Sequence, residues 1–88
     1  MKLTKEKVLE AVNSYRNMFG FPKKYKYVAV DYDGVIKICN KKPKYAVDFW
    51  DIEGLEWRDI IYIDKYVSNL EELCFKIPEK EEINESKI

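Results

Sequence analysis

Hydrophobic and polar positions alternate most regularly between residues 27 and 38, where two β-branched runs flank the turn sequence Asp31–Gly34. Asp at the first position and Gly at the fourth, where φ is positive, are typical of a type I turn. A three-residue loop with a glycine bulge would pair Val30 with Ile36, whereas a two-residue loop would pair Val30 with Lys37. We predict a β-hairpin in the first register, because it places four aliphatic side chains on one face: Val28, Val30, Ile36 and Ile38.

Residues 5 to 19 have the spacing of an amphipathic helix. The apolar side chains that recur on one stripe are Val8, Ala11, Val12, Tyr15, Met18 and Phe19. Thr4 is the predicted N-cap, and Leu3 can pack against Val8 as a hydrophobic staple. Gly20 suits the left-handed position that follows a helix, and Pro22 prevents the helix from continuing.

The later part of the chain alternates less clearly. Charged residues interrupt the apolar ones between 44 and 55, which favours an ordered surface loop. Residues 57–64 are typical of a third strand with apolar side chains on both faces. A helical turn within 66–73 and a short final strand over Leu73–Ile77, closed by Pro78, complete the prediction.

Together these elements predict an α+β fold, in which the N-terminal helix packs on a three- to four-stranded antiparallel sheet arranged as a meander. The first two strands are expected at 25–31 and 35–39. One domain covers 1–78, and the acidic segment 79–88 is expected to form a mobile tail because it has little apolar surface to bury. The sheet face away from the helix is a candidate contact surface, since aromatic residues would lie on it.

Length and charge narrow the classes of function. A chain of 88 residues supports one modest core, and it has no apolar run long enough to span a membrane. Its first residues are charged and lack the apolar stretch of a signal peptide, so we expect a cytoplasmic protein. Net charge is zero, but residues 1–44 carry +7 and residues 45–88 carry −7. The halves either form separate surfaces or interleave, and without a basic excess direct nucleic-acid binding is not expected.

Residues that usually carry catalysis or bind metal are scarce. The chain has no His, the commonest general base and zinc ligand. Cys39 and Cys74 have no CxxC spacing and are predicted to be buried free thiols. The acidic turn lacks the Gly and Glu that an EF-hand loop requires. We therefore expect no catalytic residue, no metal site and no cofactor.

The segment Tyr27–Ile36, with sequence YVAVDYDGVI, resembles motif one of the haloacid dehalogenase superfamily. The resemblance implies Asp31 as a phosphoryl-accepting nucleophile and Asp33 as a general acid/base, with Mg²⁺ beside them. It covers ten residues, and the other motifs of that family need a Rossmann-like sheet longer than the 54 residues that follow Gly34. A turn explains the same residues without catalysis, so we expect a binding protein rather than an enzyme.

A second resemblance covers more of the chain. The hairpin Val28–Gly34, the Lys42-Pro43 break, the Phe49-Trp50 loop and the Leu-rich to acidic segment 70–82 resemble small accessory proteins of tailed phages. Similar domains end in a Trp-acidic-Pro segment, whereas this chain has Phe-Lys-Ile-Pro-Glu over 75–79. The resemblance implies a phage or mobile-element protein that binds and disables a host protein.

The predicted binding site follows from the aromatic and acidic residues between 45 and 57. Trp and Tyr often dominate interface hot spots, and neighbouring carboxylates could meet a basic partner surface. The predicted site residues are Tyr45, Asp48, Phe49, Trp50, Asp51, Glu53 and Trp57, with Glu56 beside them. The expected partner is a host protein, with a bacterial defence component of the CRISPR–Cas type as a candidate. The alternative for Trp50 and Trp57 is that they cap the sheet.

Two other classes of function stay open. One is a small-ligand binder that sequesters a nucleotide signal between subunits, using tyrosine stacking. Its candidate cations are the lysines at 23, 24, 41, 42 and 44. The other is a homo-oligomeric structural or assembly module.

Overall fold

The computed structural model describes residues 2–47, 49–63 and 66–78. Its elements in chain order are α1 (Lys5–Met18), β1 (Tyr27–Val30), β2 (Val35–Cys39), β3 (Lys44–Ala46), β4 (Phe49–Asp51), β5 (Trp57–Tyr62), a 3₁₀ turn (Leu70–Glu72) and β6 (Cys74–Lys76). The predicted α+β class, with one helix on an antiparallel sheet, is confirmed. The predicted tail, 79–88, lies outside the described residues.

Helix α1 begins and ends where its local signals predict. The hydroxyl of Thr4 accepts a hydrogen bond from the backbone N–H of Lys7 at 3.2 Å, which satisfies one free donor of the first turn. The helix ends at Met18, and Gly20 follows with φ of 73°, a conformation that costs glycine little.

The β1–β2 hairpin has the predicted register, with Val30 opposite Ile36. The N–H of Gly34 donates to the carbonyl of Asp31 at 2.9 Å, and the N–H of Asp31 donates to the carbonyl of Val35 at 3.0 Å. Gly34 has φ of 89°. These bonds form a three-residue loop with a glycine bulge, as predicted.

The main sheet has the strand order β5-β2-β1-β6, with every neighbouring pair antiparallel. Its first three strands form the predicted meander, but β6 pairs with β1 instead of extending the sheet from β5. The chain after β5 passes the β1–β2 turn, where the N–H of Val67 donates to the carbonyl of Tyr32 at 2.9 Å. This path brings the last strand to the open edge of β1.

The core lies between α1 and one face of the sheet. Val8 and Val12 of the helix are fully buried with the four aliphatic side chains predicted for the hairpin: Val28, Val30, Ile36 and Ile38.

Two hydrogen bonds between the backbone of Leu3 and the side chain of Asn69 join the start of the chain to this core. The N–H of Leu3 donates to Oδ1 of Asn69 at 2.9 Å, and Nδ2 of Asn69 donates to the carbonyl of Leu3 at 2.7 Å.

Two expectations for residues 44–64 are wrong. The predicted loop over 44–55 contains a second hairpin, in which β3 pairs with β4 and Tyr45 lies opposite Trp50. The third strand was expected to be covered on both faces, yet Trp57, Arg58 and Asp59 of β5 are exposed. The physical reason is that β5 forms an edge of the sheet rather than its centre.

Candidate functional site

The sheet face opposite α1, which we call the outer face, is defined by the alternation of side chains along each strand. Since Val28, Val30, Ile36 and Ile38 point toward the helix, the intervening residues point away. Strand register places these residues on the outer face: Tyr27 and Ala29 of β1, Val35, Lys37 and Cys39 of β2, Trp57, Asp59 and Tyr62 of β5, and Cys74 and Lys76 of β6.

A charged cluster centres on Lys37 of the outer face. Its ammonium lies 3.1 Å from Oδ2 of Asp31 and 2.9 Å from Oδ1 of Asp59, and it sits 4.9 Å from the ring centroid of Trp57. The side chains of Lys37 and Asp31 are mostly buried, whereas that of Asp59 is about half exposed. Lys37 therefore fixes one carboxylate below the surface and one at the surface, with an indole beside them.

Three side chains of the outer face have a raised pKa: Lys37, Cys39 and Cys74. Burial by itself would lower the pKa of Lys37, but hydrogen bonds from its ammonium to Asp59 and Asp31 outweigh burial and raise that pKa. Burial raises the pKa of the Cys39 thiol to about 11, and burial also raises the pKa of Cys74. Both cysteines are free thiols, as predicted, and Cys39 is buried while Cys74 is partly exposed. At neutral pH Lys37 is a cation and neither thiol is a thiolate nucleophile.

The two turn aspartates have bonds within the domain. Asp31 pairs with Lys37, and Oδ1 of Asp33 accepts a hydrogen bond from the N–H of Val35 at 3.3 Å. The second contact is a local side-chain bond that stabilises the turn. Within 2–47, 49–63 and 66–78, no group of three or more His, Cys, Asp or Glu side chains could hold a metal ion.

Four exposed aromatic side chains form what we call the aromatic strip: Trp57, Tyr62, Tyr32 and Tyr66. Trp57 and Tyr62 occupy the two ends of β5, about 17 Å apart along a six-residue strand. The rings of Tyr32 and Tyr66 stack in parallel, with centroids 6.2 Å apart. Tyr32 belongs to the turn beside the end of β5, because the N–H of Ile63 donates to the carbonyl of Gly34 at 2.8 Å.

The structure separates the aromatic residues of the predicted site into two groups. Trp50 is buried, and its ring lies 5.0 Å from that of Tyr45, which packs against the core. The burial of Trp50 favours the alternative in which its indole packs within the domain, and its assignment to the binding site stays a prediction. Phe49 and Trp57 are exposed and available for contact. Asp48 lies outside the described residues.

The acidic residues of the predicted site stand close to lysines. Asp51 and Glu53 line an open recess together with Lys42, Lys44 and Leu55. Such mixed charge gives no concentrated positive potential for a phosphate group.

The basic and acidic halves of the sequence meet in space. The carboxylate of Glu56 forms an ion pair with the ammonium of Lys24 at 2.8 Å, and Asp59 pairs with Lys37. Of the two arrangements left open by the sequence, these contacts support interleaving.

Tyr32 and Tyr66 are not among the site residues predicted from the sequence. Tyr32 lies within a turn sequence in which the Asp and Gly residues give the signal, and Tyr66 follows β5 in a segment without hydrophobic periodicity.

Among the described residues, no helix has the length and apolarity to cross a membrane.

Comparison of the chain with protein-family models, with curated proteins and with solved structures found no match.

Proposed function

We propose that this protein is a non-catalytic binding domain that contacts a host protein through the aromatic strip and inhibits it. The observation that carries the proposal is the exposure of four large rings, from 44% for Trp57 to 74% for Tyr66. Trp and Tyr side chains provide large, rigid contact surfaces and are enriched among residues that dominate binding energy. In the free domain a large part of each ring is exposed to solvent.

The charges beside the strip favour a basic partner surface. Asp59 lies between Trp57 and Tyr62 on β5, and one of its carboxylate oxygens is held by Lys37. A held carboxylate is oriented before binding, so it loses little conformational freedom when a partner Arg or Lys reaches it. Phe49 and Asp51, both exposed on β4, belong to the same proposal as peripheral contacts.

The two aspartates that the haloacid dehalogenase resemblance would make catalytic are bonded within the domain, which supports a binding protein rather than an enzyme. Asp31 pairs with Lys37, and Asp33 caps the N–H of Val35. The resemblance of the chain to tailed-phage accessory proteins supplies the proposed setting, the cytoplasm of an infected bacterium. The proposed targets are host defence proteins with basic grooves, of which CRISPR–Cas effectors are the first to test.

The test of binding is capture of a partner from a bacterial lysate, followed by titration calorimetry with the purified partner. We expect Trp57→Ala/Tyr62→Ala to weaken the complex about a hundredfold, because each ring is expected to act as a hot spot. Val47→Asn, which replaces an exposed apolar side chain of the second hairpin, is the control and should bind like the wild type. An affinity unchanged by the double substitution would remove the strip from the site.

Inhibition requires its own measurement. The activity of the purified partner should fall on addition of the wild-type domain and stay constant on addition of Trp57→Ala/Tyr62→Ala. In a strain with CRISPR–Cas immunity, expression of the wild type should raise the plating efficiency of a targeted phage. A partner that binds tightly yet keeps full activity would contradict the inhibitory part of the proposal while leaving binding intact.

A further inference from the structure

A second exposed apolar surface lies at the C-terminal end of α1. Met18 and Phe19 are 73% and 69% exposed, although both continue the apolar stripe of the helix. The stripe turns away from the core at this point, because the buried helix residues are Val8 and Val12, near its start and middle. Exposed apolar residues grouped in this way mark contact surfaces more often than isolated ones do.

A row of aromatic rings connects this end of the helix to the start of β1. Tyr15 lies 5.0 Å from Phe19 and 6.3 Å from Phe21, and Phe21 lies 6.5 Å from Tyr25. The row is held by mutual ring contacts and by packing of Phe21 and Tyr25 against the core. Its outer end, Phe19, is therefore an exposed ring on a fixed support.

Cations lie along the same row. The guanidinium of Arg16 sits 5.6 Å from the ring of Phe21, and Lys24 and Arg58 each sit 5.4 Å from the ring of Tyr25. Lys23 is exposed and forms no ion pair with a described residue. We call this surface the helix-end patch: Arg16, Met18, Phe19, Lys23, Lys24 and Arg58.

We infer that the helix-end patch is a second binding surface, which takes an acidic peptide segment carrying apolar residues. Met18 and Phe19 supply apolar contact, and the neighbouring cations complement carboxylates. Within the domain Lys24 pairs with the side-chain carboxylate of Glu56 at 2.8 Å, so a carboxylate fits among these cations. The patch lies beside the helix-facing side of β5, since Arg58 pairs with Ile38, whereas Trp57 and Tyr62 of the aromatic strip lie on the outer face.

Single-stranded nucleic acid fits this surface less well. Stacking of successive bases needs open ring faces, and the cations of the domain lie over those of Phe21 and Tyr25. The chain has zero net charge, so it lacks the long-range attraction that a polyanion requires. A short segment with separated carboxylates needs only local pairing.

The test is a nuclear magnetic resonance titration of the ¹⁵N-labelled full chain with the peptide acetyl-Glu-Leu-Glu-Glu-Phe-Glu-Leu-Glu-amide. We expect shifts confined to 16–24 and the region of Arg58, with weaker binding at higher salt. Phe19→Ser and Lys23→Gln should each weaken binding about tenfold. Val47→Asn removes an exposed apolar side chain from the second hairpin and should leave the affinity unchanged.

Three results would overturn the inference. One is the absence of shifts at millimolar peptide. Another is equal binding of the same peptide with every Glu replaced by Lys. The third is tighter binding of an eight-residue oligothymidine at the patch. Because the peptide titration leaves Trp57 and Tyr62 untouched, each of these results leaves the proposed function of the aromatic strip standing.

Discussion

The two hairpins of this domain have the same topology but different support. The β1–β2 hairpin is central in the sheet and contributes four fully buried aliphatic residues to the core. The β3–β4 hairpin forms a separate two-stranded sheet, with Trp50 as its one buried side chain among the described strand residues. The first depends on many contacts and the second on very few.

The turn of the first hairpin also suits its residues better than the turn of the second does. The first loop ends in Gly34 at φ of 89°, which glycine adopts without strain, and Asp33 adds a bond to the N–H of Val35. The second hairpin turns at Val47, a β-branched residue with φ of 57°. Side chains of this kind rarely adopt a left-handed conformation. A hairpin can therefore form from poor turn chemistry when contact between a buried Trp and a partly buried Tyr compensates.

Removal of the Trp50 indole tests this dependence most severely. Trp50→Ala should lower the free energy of unfolding by about 3–5 kcal/mol, because a buried ring is lost and a cavity remains. The exposed neighbour provides the control, and Phe49→Ala should cost less than about 1 kcal/mol. Urea unfolding measures both. A loss below about 1 kcal/mol for Trp50→Ala would mean that other contacts hold the second hairpin.

Thiol reactivity compares the hairpins in the native state. Burial raises the pKa of Cys39 to about 11, so at pH 8.5 almost all of this thiol is protonated in the first hairpin. In a Cys74→Ala background, a cysteine introduced by Phe49→Cys on the exposed strand should react with a disulfide reagent at least about a hundredfold faster than Cys39.

The same shift predicts a loss of stability at high pH. Because the folded pKa of Cys39 is raised, its contribution to stability is present below the unfolded pKa near 8.5 and disappears as pH rises toward about 11.

In the thiol comparison, equal reaction rates of Cys39 and of the cysteine introduced by Phe49→Cys would contradict the predicted difference in reactivity. They would show that both strands open equally often.

Substitution of one turn residue in each hairpin should give the smallest changes in the free energy of unfolding, with opposite signs in the two hairpins. Gly34→Ala should destabilise the domain by about 1–2 kcal/mol, because an L side chain is strained at φ of 89°. Val47→Asn should stabilise it by about 0.5–1 kcal/mol, because Asn tolerates φ of 57° better than Val. Thermal unfolding measures both, and a loss of stability in Val47→Asn would show that the Val47 side chain contributes contacts of its own.

The difference between the hairpins also explains what could be predicted from sequence. The first hairpin has alternation and an Asp-x-Asp-Gly turn, and α1 has Thr4 and Gly20 at its ends, so local chemistry defines both. The second hairpin has strands of three residues and no Gly or Asn at its turn, which leaves no local signal. The pairing of β6 with β1 depends on the path of the chain past Tyr32, a contact between distant residues.

The candidate site shows the same division. The aromatic content of 45–57 was evident, but composition does not reveal which ring turns inward, and Trp50 is buried where Phe49 is exposed. Tyr32 and Tyr66 are 34 positions apart and meet only because the chain after β5 bonds to the first turn. Exposure and long-range proximity are properties of the folded chain, so the aromatic strip required the structure.

The bond between Leu3 and Asn69 has a consequence for synthesis of this chain in the cell. Its two partners are 66 residues apart, so at typical elongation rates roughly 3–13 s separate their emergence from the ribosome. During that interval the apolar stripe of α1 exists before the contact that fixes its start. Leu3 therefore waits through that interval for its hydrogen-bond partner, so the start of the first helix is fixed only late in synthesis.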